Sequence, residues 1–185
     1  MESAQYLAGK GAPLDFVSAA ALDRLDVVEA RFNSDGSRKP SLTQELMQEA
    51  FRYACGYGGN RVVEFLLEHG ADIAEHSGDG QSGLHYTVIF GRLDTLKLLL
   101  KRNPSLETTN MYGGTILGQT LWSAAHGGDP DVYAQIIETL IAAGAKVPER
   151  HVPVNPQIDA LLERYGSRPE PKWWWYGEGP GEAEA

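Results

Sequence analysis

Residues Val62 to Asp72 read VVEFLLEHGAD, and a similar stretch, SGLHYTVIFGRLDTLKLLL, follows from Ser82 to Leu100. Val62, Val63, Phe65, Leu66 and Leu67 are apolar at helical spacing, and Gly70 stands where a helix would stop. The chain then restarts with the same kind of pattern, which is the signature of an array. Apolar pairs ahead of a helix-ending run recur at Val27-Val28, Val62-Val63, Thr95-Leu96 and Ile136-Ile137, in steps of 35, 33 and 41 residues. Intervals of that size belong to helical solenoids, in which each unit buries its apolar face only by stacking on the next.

The unit resembles the ankyrin repeat, whose pattern opens Thr-Pro-Leu-His, continues Ala-Ala and Gly, and closes Val-Val-x-x-Leu-Leu-x-x-Gly-Ala-Asp. Ala54 and Cys55 fall on the Ala-Ala pair, Gly58 on the inter-helix glycine, and VVEFLLEHGAD on the close. Ser82, Gly83, Leu84 and His85 fall on the opening tetrapeptide, and Gly91 on the next inter-helix glycine. The outer copies are worn. Ala19, Ala20 and Asp26 to Val28 fit the first, and the fourth keeps its start near Thr115 and its end, LIAAGA, at 140–145. Residues 13 to about 147 are covered. The resemblance implies an all-α fold, an ankyrin-type helical solenoid of about four helix-turn-helix repeats with short hairpin fingers and a C-terminal capping helix. It also implies a habit of binding proteins.

Along the chain, 1–12 reads as a flexible lead-in, 13–166 as the ankyrin repeat domain, and 167–185 as a Trp-rich then acidic tail, with 177–185 disordered by composition. Pro13 suits a first helical turn, and Leu25, Val27, Val28 and Phe32 read as the second helix of unit one. NSDGSRKPS, 33–41, is a loop by composition, and Ser41 with Gln44 has the spacing of a capping box. That reading lengthens the next inner helix back to where a finger would lie, so the finger is expected to be missing. The fourth unit is stretched by about seven residues around Trp122 to Pro130. Asp129 and Pro130 look like an N-cap and first-turn proline, which puts the extra length before the outer helix. PQIDALLERYG, 156–166, closes the stack with a short helix.

A net charge of -9 argues against a nucleic-acid partner, which needs clustered Lys and Arg, and favours protein partners, basic ones included. Glu178, Glu182 and Glu184 put part of that charge in the tail. No apolar stretch approaches the ~18 residues of a membrane span. The only cysteine, Cys55, occupies a small-residue site between helices and reads as a buried thiol of a cytoplasmic protein.

Three letter patterns dissolve on inspection. Gly78-x-Gly80-x-x-Gly83 matches a dinucleotide fingerprint, but no buried strand precedes it, so the glycines serve a turn and no cofactor is expected. His69, His76 and His85 lie on different elements at spacings unlike those of paired metal ligands, so no metal is expected. His85 sits in the opening tetrapeptide, where the resemblance implies a side chain bonded to backbone between units. No nucleophile, base and orienting group form a recognisable set, and enzyme activity is left uncertain, with no catalytic residue assigned.

The candidate binding residues come from the resemblance, in which finger tips and inner-helix residues after the Ala-Ala pair form a concave face. They are Tyr57 in unit two, His76, Asp79, Gln81, Ile89 and Phe90 in unit three, and Met111, Tyr112 and Trp122 in unit four. Several are large and apolar where water is expected, the character of interface anchors. Their alternative role is in the inter-unit core. Two rival functions remain open: a small enzyme or ligand-binding protein using a groove near Tyr57, Phe90, Trp122 and His126, and an inhibitor or immunity-type protein neutralising one target. Trp173, Trp174, Trp175 and Tyr176 cannot all point into one surface, and self-association through them is a further possibility.

Overall fold

The computed structural model describes residues 14–170. The Trp173 to Tyr176 segment and the acidic residues after it lie outside the described residues. Helix α1 (Phe16–Ala21) and α2 (Leu25–Glu29) form unit one, α3 (Gln44–Tyr57) and α4 (Asn60–Glu68) unit two, and α5 (Gly83–Ile89) and α6 (Leu93–Leu100) unit three. Unit four is α7 (Ile116–Ala125) with α8 (Pro130–Ala142), and α9 (Pro156–Arg164) closes the end, flanked by two-residue strands β1 (Arg150–His151) and β2 (Arg168–Pro169) that pair in parallel.

The inner helices pack in series, α1 on α3, α3 on α5 and α5 on α7. The outer layer follows, with α4 on α6, α6 on α8 and α8 on α9. The core runs through the stack as one cluster, with Ala20, Phe51, Val62, Leu66, Val88, Leu96, Ile116, Ile136 and Ile158 all at 1% exposure or less. The helical periodicity of the apolar residues follows from this arrangement, because each helix has one face against its neighbour and one in water.

Polar side chains join unit to unit. Asp23, at φ 55°, accepts from the Val62 amide (3.0 Å) and pairs with Arg61 (2.8 Å), so unit one caps the start of α4. Arg92 donates to the Gly56 carbonyl (3.0 Å), and Thr95 to the Asn60 side-chain oxygen (2.7 Å). Within unit two, Gln48, fully buried, exchanges two 2.9 Å bonds with the Asp72 backbone. His85, also buried, bonds Ser82 in a capping box and reaches the Gly114 carbonyl (3.3 Å), the inter-unit role implied for it.

Four local expectations are corrected. The finger between units one and two is present. Asn33 N–H donates to the Ser37 carbonyl and Gly36 N–H to the Asn33 carbonyl, the same pattern that closes Ser77–Gln81 and Asn110–Gly114. Gly36, Gly80 and Gly113 take the left-handed conformation at the matching position of each. Five further residues follow finger one, so the capping residue is Thr43, bonded to the Leu46 amide, and not Ser41. Phe32 lies beyond the end of α2, bridged to Arg38 and packed edge-on to Phe65 at 5.0 Å. The first helix starts at Phe16, capped by Asp15.

The stretch in unit four lies mostly inside helices. The N-caps Ser82 and Thr115 are 33 residues apart, yet Gly91 to Gly127 spans 36 and Thr95 to Ile136 spans 41. Most of the insertion therefore lengthens the end of α7 and the start of α8. Asp129 caps α8 with Pro130 in its first turn, as the sequence indicates.

Candidate functional site

The inner helices present a row of aromatic rings along the middle of the stack. Tyr53 and Tyr57 are one turn apart on α3 and stack at 6.2 Å; Tyr86 and Phe90 repeat that spacing on α5 at 6.4 Å. Across the two units Tyr53 meets Tyr86 at 5.9 Å and Tyr57 meets Phe90 at 5.2 Å, which makes one four-ring plate. Gly56 makes the plate possible, since a Cβ there would come within 3.0 Å of the Phe90 ring. Phe90 still exposes 41% of its surface.

Beyond the plate the face drops into a trough between α5 and α7. It holds two adjoining cavities that share Ile89 and Trp122. Towards the finger end the cavity is about 590 Å³, with Gln81, Tyr112, Gly118 and Gln119 around it. Towards the α7–α8 loop it is about 410 Å³, with Phe90, Ser123, His126 and Asp129. Trp122 is 58% exposed and stacks on His126 at 4.1 Å, while the His126 Nδ1–H donates to the Trp122 carbonyl (2.7 Å). The extra turn of α7 carries His126, so the insertion raises one wall of the trough.

Among the residues proposed from sequence, Ile89, Phe90, Tyr112, Trp122 and Gln81 come together around this trough, with Tyr57 beside it on the plate. Tyr112 and Met111 are exposed at 78% and 64%, and neither is in the core. Asp79 accepts from the Ser77 hydroxyl and the Gln81 amide, and the Ser77 bond first of all holds its carboxyl below the usual range. It therefore shapes its own finger, whose Asp79 carbonyl accepts from the Met111 amide (3.0 Å) in the next. His76 is exposed on the same finger. Tyr53 and Tyr86 were missed. The 33-residue step between them, each four residues before a residue already singled out, was the available signal.

Residues 17–110 and 51–151 match the family model described as ankyrin repeats (3 copies), and the chain belongs to the ankyrin repeat family. It is 30% identical over 122 residues to the E3 ubiquitin-protein ligase hecd-1 of Caenorhabditis elegans, an alignment covering 62% of this chain and 4% of that one. It is also 30% identical over 99 residues to the Notch-regulated ankyrin repeat-containing protein of Xenopus tropicalis, covering 51% of this chain and 80% of that one. The human protein of that name gives 30% over 103 residues with the same coverage. Among solved structures, the chain is similar to one titled Bd0816 Predatory Endopeptidase from Bdellovibrio bacteriovorus in complex with immunity protein Bd3460. That match has 28% identity and a TM-score of 0.46, over 52% of this chain and 47% of that one. No helix among the described residues is long and apolar enough to cross a membrane.

Proposed function

We propose that this chain is a protein-binding module that recognises its partner through the concave face of units two to four. One observation carries the reading: the inner helices leave Tyr53, Phe90 and Trp122 exposed, with Tyr112 of the finger beside Trp122. Water-exposed rings on a rigid scaffold cost little to pre-order and gain most when a partner desolvates them. The acid excess supports a basic partner. The buried, unpaired Cys55 supports a cytoplasmic setting.

The test is affinity capture from native cells with wild type and the Phe90→Ala, Tyr112→Ala and Trp122→Ala variants, each checked for an intact urea transition. One protein lost in all three supports the reading. A partner retained equally by all three removes the concave face as its site.

A second reading, a small ligand in the 590 Å³ end of the trough, draws on the polar Gln119 and Asn110 side chains beside apolar walls. A metabolite that raises the melting midpoint in wild type and not in Trp122→Ala would select it. An inhibitor of a single target is a special case of the first reading, distinguished by a tight one-to-one complex.

A further inference from the structure

Arg52, His85 and Gly118 stand 33 residues apart, at one position of the inner helices of units two, three and four. Arg52 reaches Glu75, just before the next finger (Nη1 to Oε1, 3.8 Å), and His85 reaches the Gly114 carbonyl of the finger after that (3.3 Å). A Cβ at Gly118 would meet only Thr115 Oγ1 outside its own helix backbone. The contrast holds along the rest of that helix face, which recurs at intervals of three and four. Val88 of α5 is at 0% exposure, whereas Leu121, its counterpart on α7, is half-buried, and Trp122 and Ala125 are exposed.

The two layers end differently. Gln157 bonds Asp131 (3.0 Å) and Arg164 meets Glu138 (3.5 Å), so α9 lies parallel to α8 and extends the outer layer by one member. Among the described residues no fifth inner helix precedes it. Its course is taken by 146–155, which starts beside the entry to finger three, where the Lys146 amide donates to Glu107 (2.9 Å), and ends at the start of α9. That stretch packs Val147 and Val154 on the core and buries His151, yet Trp122 and Ala125 on the α7 flank stay in water. A solenoid whose last unit keeps an apolar face needs something to cap it.

The chain carries a cap where it leaves the described residues. β2 lies beside β1 and parallel to it, and the Glu170 amide is held to the His151 carbonyl (2.8 Å). The chain therefore departs from the place of the missing inner helix, heading as α7 runs. Two residues further on comes Trp173-Trp174-Trp175-Tyr176. Trp173 reaches about 10 Å from Glu170 and Trp175 about 17 Å, against about 8–10 Å between packed helices. Four extended residues cover about 13 Å, and Gly118 to Ala125 takes up about 10 Å of helix. We propose that this segment folds back on its own molecule and closes the inner layer, with its rings on Gly118, Leu121 and Trp122. A tether of two residues gives it an effective concentration that a free partner does not reach. The proposal concerns the far flank of α7 and does not rest on the concave-face reading.

Tryptophan fluorescence of the full chain tests it. In Trp122→Phe the remaining tryptophans are those at 173, 174 and 175. Their acrylamide quenching constant is expected at least threefold below that of the peptide PKWWWYGE. Adding Gly118→Glu, which puts a charged side chain into the open space, is expected to return it to the peptide value. Sedimentation velocity at the same concentrations is expected to show monomer. In the wild-type background, W173S/W174S/W175S is expected to speed hydrogen exchange at the amides of Leu121 to Ala125 and to leave α3 unchanged. Quenching equal to that of the peptide in folded Trp122→Phe overturns the proposal, and so does protection that Gly118→Glu leaves intact or that is seen only where dimer forms. Urea midpoints matching wild type establish that each variant is folded. Partner capture by Phe90→Ala and Tyr112→Ala reads the concave face alone, so either reading can fail without the other.

Discussion

The Tyr133 hydroxyl stands 2.9 Å from the Val88 carbonyl oxygen and 3.0 Å from that of Ile89, so α8 of unit four closes the end of α5 in unit three. The ring passes over Gly128, where a Cβ would come within 2.3 Å of it. The Val88 carbonyl keeps the Gly91 amide (3.3 Å) when the hydroxyl is removed, while the half-buried Ile89 carbonyl loses its side-chain donor, so Tyr133→Phe is expected to lose about 0.5–1.5 kcal/mol of stability. Gly128→Ala drives the ring from its place and is expected to lose more. Urea unfolding of both variants, followed by far-UV circular dichroism, gives the comparison, and a midpoint unchanged in Tyr133→Phe removes the proposed link.

The exposed aromatics separate into two kinds. Tyr112 is 78% exposed on a finger tip, so Tyr112→Ala is expected to move the melting midpoint by no more than a surface change does. Phe90 lies over Gly56 and against Tyr57 and Tyr86, so Phe90→Ala is expected to lose about 1–2 kcal/mol as well as partner affinity. Thermal unfolding and partner titration, run on the same samples, check both. An equal stability loss in the two variants contradicts the geometry.

The array could be read from the sequence because its period comes from the core: Val62, Leu66, Leu96, Ile136 and Leu140 are at 0% exposure, and their spacing is helical. Phe90, Tyr112 and Trp122 were legible as outward-facing only through the resemblance, since an aromatic residue at helical spacing serves a core equally well. Finger one escaped because five added residues separate it from α3, and Ser41 with Gln44 imitated a capping box within that added stretch. The lengthened turns of α7 and α8 escaped for a related reason. Asp129 and Pro130 mark the start of α8, but the Gly127-Gly128 pair gives the insertion a loop-like composition, and only the spacing against the 33-residue step of the N-caps shows that most of it adds turns to α7 and α8.

His85 titrates in the fold below its ordinary value of 6.5, chiefly because burial penalises the charged ring, with the Gly114 carbonyl opposing in part. Below about pH 6.5 the unfolded chain therefore takes up a proton that the folded chain resists. Stability contributed by His85 is present above that point and is lost as pH falls towards the lower folded value, then levels off. Urea midpoints of wild type and His85→Gln between pH 7.5 and the carboxylate range are expected to differ in slope, with the variant flatter. Parallel slopes contradict the assignment.

Cys55 is fully buried beside Gly83, and burial pushes its thiol far above the usual range. It is expected to react with a disulfide reagent only on unfolding, with a rate that rises with urea along the structural transition. Stoichiometric reaction of the native chain within the mixing time contradicts that burial.

The closing element is held by a polar pair in an apolar setting. His151 has a side chain at 0% exposure; its Nδ1 bonds the Ser167 hydroxyl at 2.9 Å, and its Nε2 stands 3.5 Å from Asp159 without a hydrogen-bond partner. Ser167 thus provides the hydrogen-bonding contact of a buried ring that joins β1 to the end of α9. Ser167→Ala leaves both ring nitrogens unbonded and is expected to lose about 1–3 kcal/mol, concentrated in this element. Ser167→Thr keeps the hydroxyl and is expected to recover part of that loss. Hydrogen exchange at the amides of Arg168 and Glu170, which donate to the Glu149 and His151 carbonyls, reads the effect locally. Faster exchange there in Ser167→Ala, with the amides of α5 unchanged, places the stabilisation in the cap. Acceleration spread evenly through the stack would mean that the terminal element and the repeats open as one unit.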